Sequence, residues 1–364
     1  MRRFATFLGK VLIKPGKGKM PAHPKKILII RSGGLGDVLM TTPLVRATRK
    51  RYPKAKITYL VGRWAAAALR HNPNVDRVWE FDDAIAFKKN VFAVRKLIKE
   101  LRKENFELCF ILDKSYHWNM VAYLAKIPFR IGFDRHGEGF PNNLNVPFDG
   151  SKYELEYYID VVRLANAKAG RGIELYSTAK DRKVAESFVK PMKGKILIGV
   201  AAGGAQNPGQ AFHEKRWPVE KYIGLINVLA ENDKVVFILF GGKSDDSLNR
   251  HIIEKSLRKK QVINAAHLSL HEAFEAMKRC RLIVTHDSGA LHMAGAARVK
   301  LIALFGPTPA ERFAPRNALV IKSPAAGCPC YDEYGRYDKR FAPSCMETIS
   351  VDTVYQAVKN MVKL

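Results

Sequence analysis

Four short stretches of this 364-residue chain combine residue types that could do chemistry. In the first, Ser32, Gly33, Gly34 and Gly36 form a small-residue turn that ends on a carboxylate, Asp37. A carboxylate on a glycine-lined shelf can serve as general base toward a hydroxyl that approaches the backbone. The same residue can equally be a first-turn acid that complements the positive end of a helix dipole. In the second, His213, Glu214, Lys215, Arg216, Trp217 and Pro218 follow a turn of small residues that includes Gly203 and Gly204. Cations beside a glycine turn and a helix N-terminus make an anion site suited to a diphosphate; a basic loop over a buried Trp is the plainer alternative. In the third, Thr285, His286, Asp287, Ser288, Gly289 and His292 crowd the end of an apolar strand. Asp287 would be repelled by a diphosphate and suits the neutral hydroxyls of a sugar, leaving the backbone N–H groups of Ser288 and Gly289 to face phosphate. The fourth is Cys328, Pro329 and Cys330, with Cys345 further on. A structural loop is the preferred reading, with a metal the lesser alternative, because no histidine follows His292.

Several motifs are absent. Gly33-Gly34-Leu35-Gly36 lacks the third glycine of a dinucleotide fingerprint, and no Gly-Lys-Ser/Thr follows to make a P-loop. No Asp-x-Asp, Gly-x-Ser-x-Gly or His-Glu-x-x-His occurs. No metal is therefore expected.

The elements that must carry these residues alternate. Ile27–Ile30, Ile57–Val61, Val75–Phe81 and Phe106–Leu112 read as strands, and Val38–Arg51, Val91–Lys103 and Tyr153–Ala167 as helices. Asp113, Lys114, Ser115, His117 and Trp118 then fall on the ligand edge of a parallel sheet. Arg130, Arg135 and His136 lie in a Gly-rich stretch that reads as irregular, either a solvated basic loop or contacts to an anionic acceptor. A composition break places a boundary between about 170 and 195. The pattern then restarts with strands at Lys195–Val200, Val235–Phe240, Gln261–Asn264, Leu282–Thr285 and Lys300–Phe305. A further turn, Gly241-Gly242, follows the second of these. Helices are expected at Val219–Glu231, Leu248–Leu257, Leu270–Lys278, Gly289–Ala297 and Val351–Val362. Two doubly wound α/β domains in tandem follow, with a site expected in the cleft between them.

The formal net charge of +28 calls for an anionic partner. Nucleic acid fits poorly, because the basic residues are spread along the chain and no nucleic-acid module is present. Residues 1–26 carry eight Lys and Arg and no acid, with Phe4, Phe7, Leu8, Val11 and Leu12 at helical spacing. That pattern suits a basic amphipathic helix on an anionic membrane surface, or a disordered basic tail. No stretch approaches the length of a transmembrane helix. Cys109 and Cys280 sit in apolar surroundings, and the odd count of five cysteines points to a reducing compartment.

The run from Ser32 to Pro53 resembles the N-terminal signature of glycosyltransferase family nine, the ADP-heptose:lipopolysaccharide heptosyltransferases. Lys215-Arg216-Trp217-Pro218 and the stretch from Thr285 to Ala297 resemble the family's two C-terminal motifs. Phe305–Pro309 and the Cys328, Cys330, Cys345 pattern resemble its tail. The resemblance implies a GT-B fold with an acceptor domain at 27–175 and a nucleotide-sugar domain at 190–345. It also implies a closing helix at 351–364 that packs back toward the N-terminal domain. It implies inverting transfer of heptose from ADP-heptose to a lipid A–core saccharide, with no further cofactor, at the cytoplasmic side of a Gram-negative inner membrane. Asp37 would be the base, with Ser32, Gly33, Gly34 and Gly36 lining the acceptor. Lys215 would hold the diphosphate and Asp287 the heptose hydroxyls. Ser288, Gly289, His292 and the turns Gly203-Gly204 and Gly241-Gly242 would complete the donor site. A GT-B transferase with another nucleotide-sugar or acceptor is the alternative, and Lys243, where some relatives carry an acid, leaves the donor open. A nucleic-acid-binding protein is the weaker alternative.

Overall fold

Ile27, Leu28, Ile29 and Ile30 are fully buried. Burial of every consecutive residue is what a central strand covered by helices on both faces requires. In the computed structural model, which describes residues 13, 18–87, 90–207 and 210–363, this strand is the middle of a six-stranded sheet. The strands are β1 (Lys26–Arg31), β2 (Lys56–Gly62), β3 (Arg77–Phe81), β4 (Leu108–Ile111), β5 (Phe129–Asp134) and β6 (Leu144–Pro147). They pair in parallel in the order β3-β2-β1-β4-β5-β6. The chain divides into two units, Met1–Glu174 and Leu175–Leu364.

The second unit repeats the order. Its strands are β7 (Ile196–Ala201), a short hairpin of β8 (Gln206–Asn207) and β9 (Gln210–Ala211), then β10 (Val235–Leu239), β11 (Val262–Asn264), β12 (Leu282–His286), β13 (Leu301–Phe305) and β14 (Ala318–Lys322). The sheet runs β11-β10-β7-β12-β13-β14, again parallel. The α/β class and the doubly wound order of two Rossmann-like units match the expectation. In such a sheet, ligands bind beyond the carboxyl ends of the strands where the order reverses. Those positions are β1/β4 in the first unit and β7/β12 in the second.

Several elements differ from the sequence reading. The helix expected over Val38–Arg51 is two helices, Leu35–Leu39 and Thr42–Arg51. Pro43 has no N–H to continue the ladder. The Thr41 and Thr42 hydroxyls donate instead to the Val38 and Leu39 carbonyls, each at 2.7 Å. The stretch read as irregular around Arg130 contains β5 and leads into β6. Arg130 is neither a solvated loop residue nor an acceptor contact. It is 3% exposed, and its guanidinium donates to the carbonyls of Pro141 (2.8 Å) and Ile127. Arg135 is likewise buried, in an ion pair with Glu138 at 2.7 Å. The helix Ala179–Val189 escaped the sequence reading because only Ala185 in it is buried, so it has little apolar periodicity. The basic segment around Phe4–Leu12, and Pro208-Gly209, lie outside the described residues.

The first core is built by Leu28, Ile30 and Leu60 of the sheet against Leu97 and Leu101 of the helix Val91–Glu104. In the second, the helices Val219–Leu229 and Val351–Val362 cover one face of the sheet. Val354, Val358 and Val362 of the last helix belong to this second-unit core. Val358 is fully buried. Val358→Ala should cost about 1–3 kcal/mol, read as a lower urea midpoint for the second unit; an unchanged midpoint would refute this packing.

Candidate active site

At the β1/β4 switch point, β1 ends on a buried cation. The Arg31 guanidinium forms ion pairs with Asp37 at 2.8 Å and Asp113 at 3.3 Å. Burial alone would lower the basicity of Arg31. Asp37, Tyr158, Asp113 and Glu154 around it outweigh that and hold it charged, well above the ordinary range. Asp113, just past β4, also accepts from the Ser32 N–H (2.7 Å) and hydroxyl (2.9 Å). The Trp118 indole donates to the same hydroxyl at 3.2 Å. Gly33 has φ +114°, and a Cβ there would stand 2.8 Å from the Asp37 carboxylate. Only glycine lets the turn bring that carboxylate back over its own helix start.

Asp37 fulfils the structural reading in part, because Oδ2 accepts from the Gly34 N–H at 3.0 Å. Its side chain is still 29% exposed, against 7% for Arg31 and 13% for Asp113. Of the three charges, it is the one most open to a ligand. Arg31, between the strand Ile27–Ile30 and the Ser32–Asp37 turn, is a functional candidate that only the folded chain shows; a cation closing an otherwise apolar strand is the signal in the sequence that marks it. Behind this cluster, Glu154 is fully buried, pairs with Lys114 and accepts from the Tyr158 hydroxyl at 3.1 Å.

At the β7/β12 switch point, Lys215 Nζ meets Asp287 Oδ2 at 2.7 Å. Burial opposes the charge of Lys215, but Asp287 more than offsets it, so its pKa is raised. Burial likewise works against the Asp287 charge, and Lys215, His292 and Thr308 reverse it, so the carboxyl is held below its usual range. The Lys215 ammonium lies 5.4–5.8 Å from the rings of Phe212, Phe313 and Tyr331, a cation–π arrangement. Tyr331 comes from the tail loop, and nothing in its sequence context marked it.

The glycine turns converge through a residue the sequence reading missed. Asp245 accepts from the Gly204 N–H at 3.1 Å and from the Gly242 N–H at 2.9 Å. Its Cβ would lie 2.7 Å from any Cβ built on Gly241. The visible signal was its place three residues into Gly242-Lys243-Ser244-Asp245, a capping spacing. Gly203 also closes against Asp245, and Gly204, at φ +75°, abuts Ser288. Ser288 occupies the N-cap position of the helix Gly289–Ala297 without a capping hydrogen bond, and its buried hydroxyl finds no partner among the described residues. His292 lies on the next turn, 3% exposed. Every expected residue of this set is thus near one strand end or tied to it.

His286 is different. Burial, the largest effect, takes its pKa from 6.5 to about 3, and the ring meets the Tyr222 hydroxyl at 3.1 Å. In the tail, Cys328 is joined to Cys345, which corrects the expectation of reduced cysteines and removes two of the three thiols from the metal alternative. Cys330 is free, and Cys109 and Cys280 are buried thiols as expected.

The sequence profile of glycosyltransferase family 9 (heptosyltransferase) matches residues 94–339. The chain belongs to this family. It is 27% identical over 293 residues to lipooligosaccharide heptosyltransferase 2 of Haemophilus influenzae, spanning 78% of this chain and 83% of that protein. The structure of E. coli ADP-heptose lps heptosyltransferase II superposes with a TM-score of 0.72 at 23% identity, covering 93% and 98% of the two chains. That of an E. coli heptosyltransferase with ADP-2-deoxy-2-fluoro heptose gives 0.67 at 17%, covering 92% and 99%. This family 9 glycosyltransferase therefore has the GT-B class of fold, with two Rossmann-like units.

The low pKa of His286 sets a pH dependence. On acidification the unfolded chain takes up this proton near 6.5, whereas the folded chain resists to about 3. Stability present above about 6.5 is then lost progressively as pH falls toward 3. His286→Gln should show a smaller drop in urea midpoint between about pH 7 and pH 4.5 than the parent chain. An equal drop would show that His286 titrates normally.

Proposed function

We propose that this enzyme transfers heptose from ADP-heptose to the lipopolysaccharide inner core, with inversion at the anomeric carbon. The observation that carries the reading is that the two switch points are furnished for the two halves of one glycosyl transfer. The first presents an oriented, partly open carboxylate, Asp37. The second presents a cation, glycine turns and a helix N-terminus. The names of the heptosyltransferases it resembles, and the ADP-heptose analogue in one of them, support heptose and ADP as the donor's parts.

In this reading Asp37 takes the proton of the acceptor hydroxyl, and Arg31 keeps the carboxylate aimed. The acceptor oxygen bonds to the anomeric carbon from the face opposite ADP. The bond from that carbon to the diphosphate oxygen breaks, and its electron pair leaves with ADP. Lys215 and the N–H groups of Ser288 and Gly289 receive the charge that develops there. Asp287, whose charge Lys215 balances, accepts hydrogen bonds from heptose hydroxyls. Ser32, Gly33, Gly34 and Gly36 give the acceptor a shelf without side-chain bulk. Gly203, Gly204, Gly241 and Gly242 let the nucleotide approach backbone in the same way, and His292 supports Asp287.

With ADP-heptose and heptose-deficient lipopolysaccharide, the protein should release ADP and a heptosylated product. Turnover with a UDP-sugar and none with ADP-heptose would select the alternative of another donor. Asp37→Asn should lower kcat by on the order of 10²–10⁴ while leaving ADP binding unchanged; retention of most activity would reduce Asp37 to a helix-start acid.

The acceptor in this reading is a lipid, and the enzyme works peripherally at the cytoplasmic face of a Gram-negative inner membrane. Among the described residues no helix is long and apolar enough to cross a membrane. The basic arm, residues 1–26, is the sequence feature that supports surface binding. Deleting residues 1–20 should weaken sedimentation with anionic vesicles; equal recovery of both chains would refute a role for the arm.

A further inference from the structure

The helix Val91–Glu104 has an outer face that neither its packing nor the proposed chemistry uses. Leu97 and Leu101 are buried, and Val94 and Ile98 pack against the same core. On the opposite side, Phe92, Arg95, Lys96, Lys99 and Lys103 recur at i, i+3, i+4, i+7 and i+11. That spacing confines them to an arc of roughly 100°. All five are exposed, Phe92 by 81% and its neighbour Val91 by 58%. Among the described residues none of the four cations is held in an ion pair, whereas Glu104 on the inner side is occupied by Arg77 at 2.7 Å.

Phe92 and Val91 give this cationic stripe an exposed apolar head, the composition of a helix that lies on a membrane surface. The position of the ring says which edge of the sheet it serves. In a parallel sheet every helix that follows a strand starts at the carboxyl edge. Val91 and Phe92 therefore lie at the same edge of the first sheet as the Ser32–Asp37 turn. Trp64, 48% exposed just beyond β2, belongs to that edge too, and its backbone N–H donates to the Asp83 carboxylate at 2.9 Å.

We propose that the outer face of Val91–Glu104 is a second membrane contact, separate from the N-terminal arm, which seats the carboxyl edge of the first unit on an anionic bilayer. Phe92 and Val91 enter the headgroup–acyl boundary, and Arg95, Lys96, Lys99 and Lys103 lie over lipid phosphates. The apolar head favours a bilayer over nucleic acid, whose backbone would engage the cations and leave Phe92 in water. A lipid-linked acceptor would then be presented at the edge where Asp37 lies.

The test uses the chain lacking residues 1–20, so that the arm contributes nothing, with the full chain alongside. Binding is measured to vesicles of phosphatidylglycerol and phosphatidylcholine, and to pure phosphatidylcholine. Each cation near an anionic surface is worth about fivefold in affinity. Lys96→Gln, Lys99→Gln and Lys103→Gln together should therefore weaken binding to the anionic vesicles about a hundredfold. Phe92→Ser should weaken it at unchanged charge, which separates insertion from simple attraction. These side chains are exposed, so circular dichroism and the melting midpoint should match the parent. Anionic-vesicle binding that survives both sets of changes would overturn the proposal. So would loss of single-stranded oligonucleotide binding in the triple variant with vesicle binding intact. The readout is lipid binding alone, so a wrong donor or acceptor assignment would leave the result interpretable.

Discussion

A guanidinium placed at the end of a strand buried on both faces is costly to keep there without a carboxylate beside it. The first unit depends on that constraint. Arg31 closes β1, and its charge is supported by Asp37 and Asp113, from a helix start and a neighbouring strand end. The turn from Ser32 to Gly36 takes its shape from those two acids. Gly33 is needed because Asp37 has to fold back over it. The candidate base is consequently positioned from within the sheet, by the end of its own strand.

The second unit solves a related problem with different parts. Lys215 lies in the short segment before the helix Val219–Leu229, and Asp287 follows β12. Their pairing joins two parts of the chain that are 72 residues apart. Asp245 performs the corresponding service for the backbone, drawing N–H groups of two glycine turns onto one carboxylate. A donor that carries both phosphate and hydroxyls needs positive charge, exposed N–H groups and an acceptor carboxylate within one small region. Pairing Lys215 with Asp287 lets a carboxylate persist beside that cation at one strand end.

Much of the fold was legible because parallel strands buried on both faces leave uninterrupted apolar runs. Ile27–Ile30, Val235–Phe240 and Leu282–Thr285 are of that kind. The helix Val351–Val362 was legible for its apolar periodicity, and Gly289–Ala297 for its small, Ala-rich composition after Asp287 and Ser288. Where local signals conflicted, the reading failed. Pro43 lies inside an otherwise helical pattern and divides it in two. The glycines and cations around Arg130 look like a loop, yet its guanidinium is buried among carbonyls that only the folded chain supplies. Ala179–Val189 is held by a capping box and one buried alanine, a weaker trace than an apolar stripe.

Residue types and spacing alone singled out the candidate side chains: Asp37 behind its glycines, Lys215 before its helix, and Asp287, Ser288 and His292 at a strand end. Those are local properties, set by turns and caps a few residues long. The tertiary structure alone decided the partners. Arg31 meets Asp113, Lys215 meets Asp287, and Asp245 meets Gly204 because the strand order puts β1 beside β4, β7 beside β12 and β10 beside β7. Strand order is a choice among packings with nearly the same local preferences. It is settled by which crossovers bury all the apolar faces at once, and no window of sequence contains that comparison.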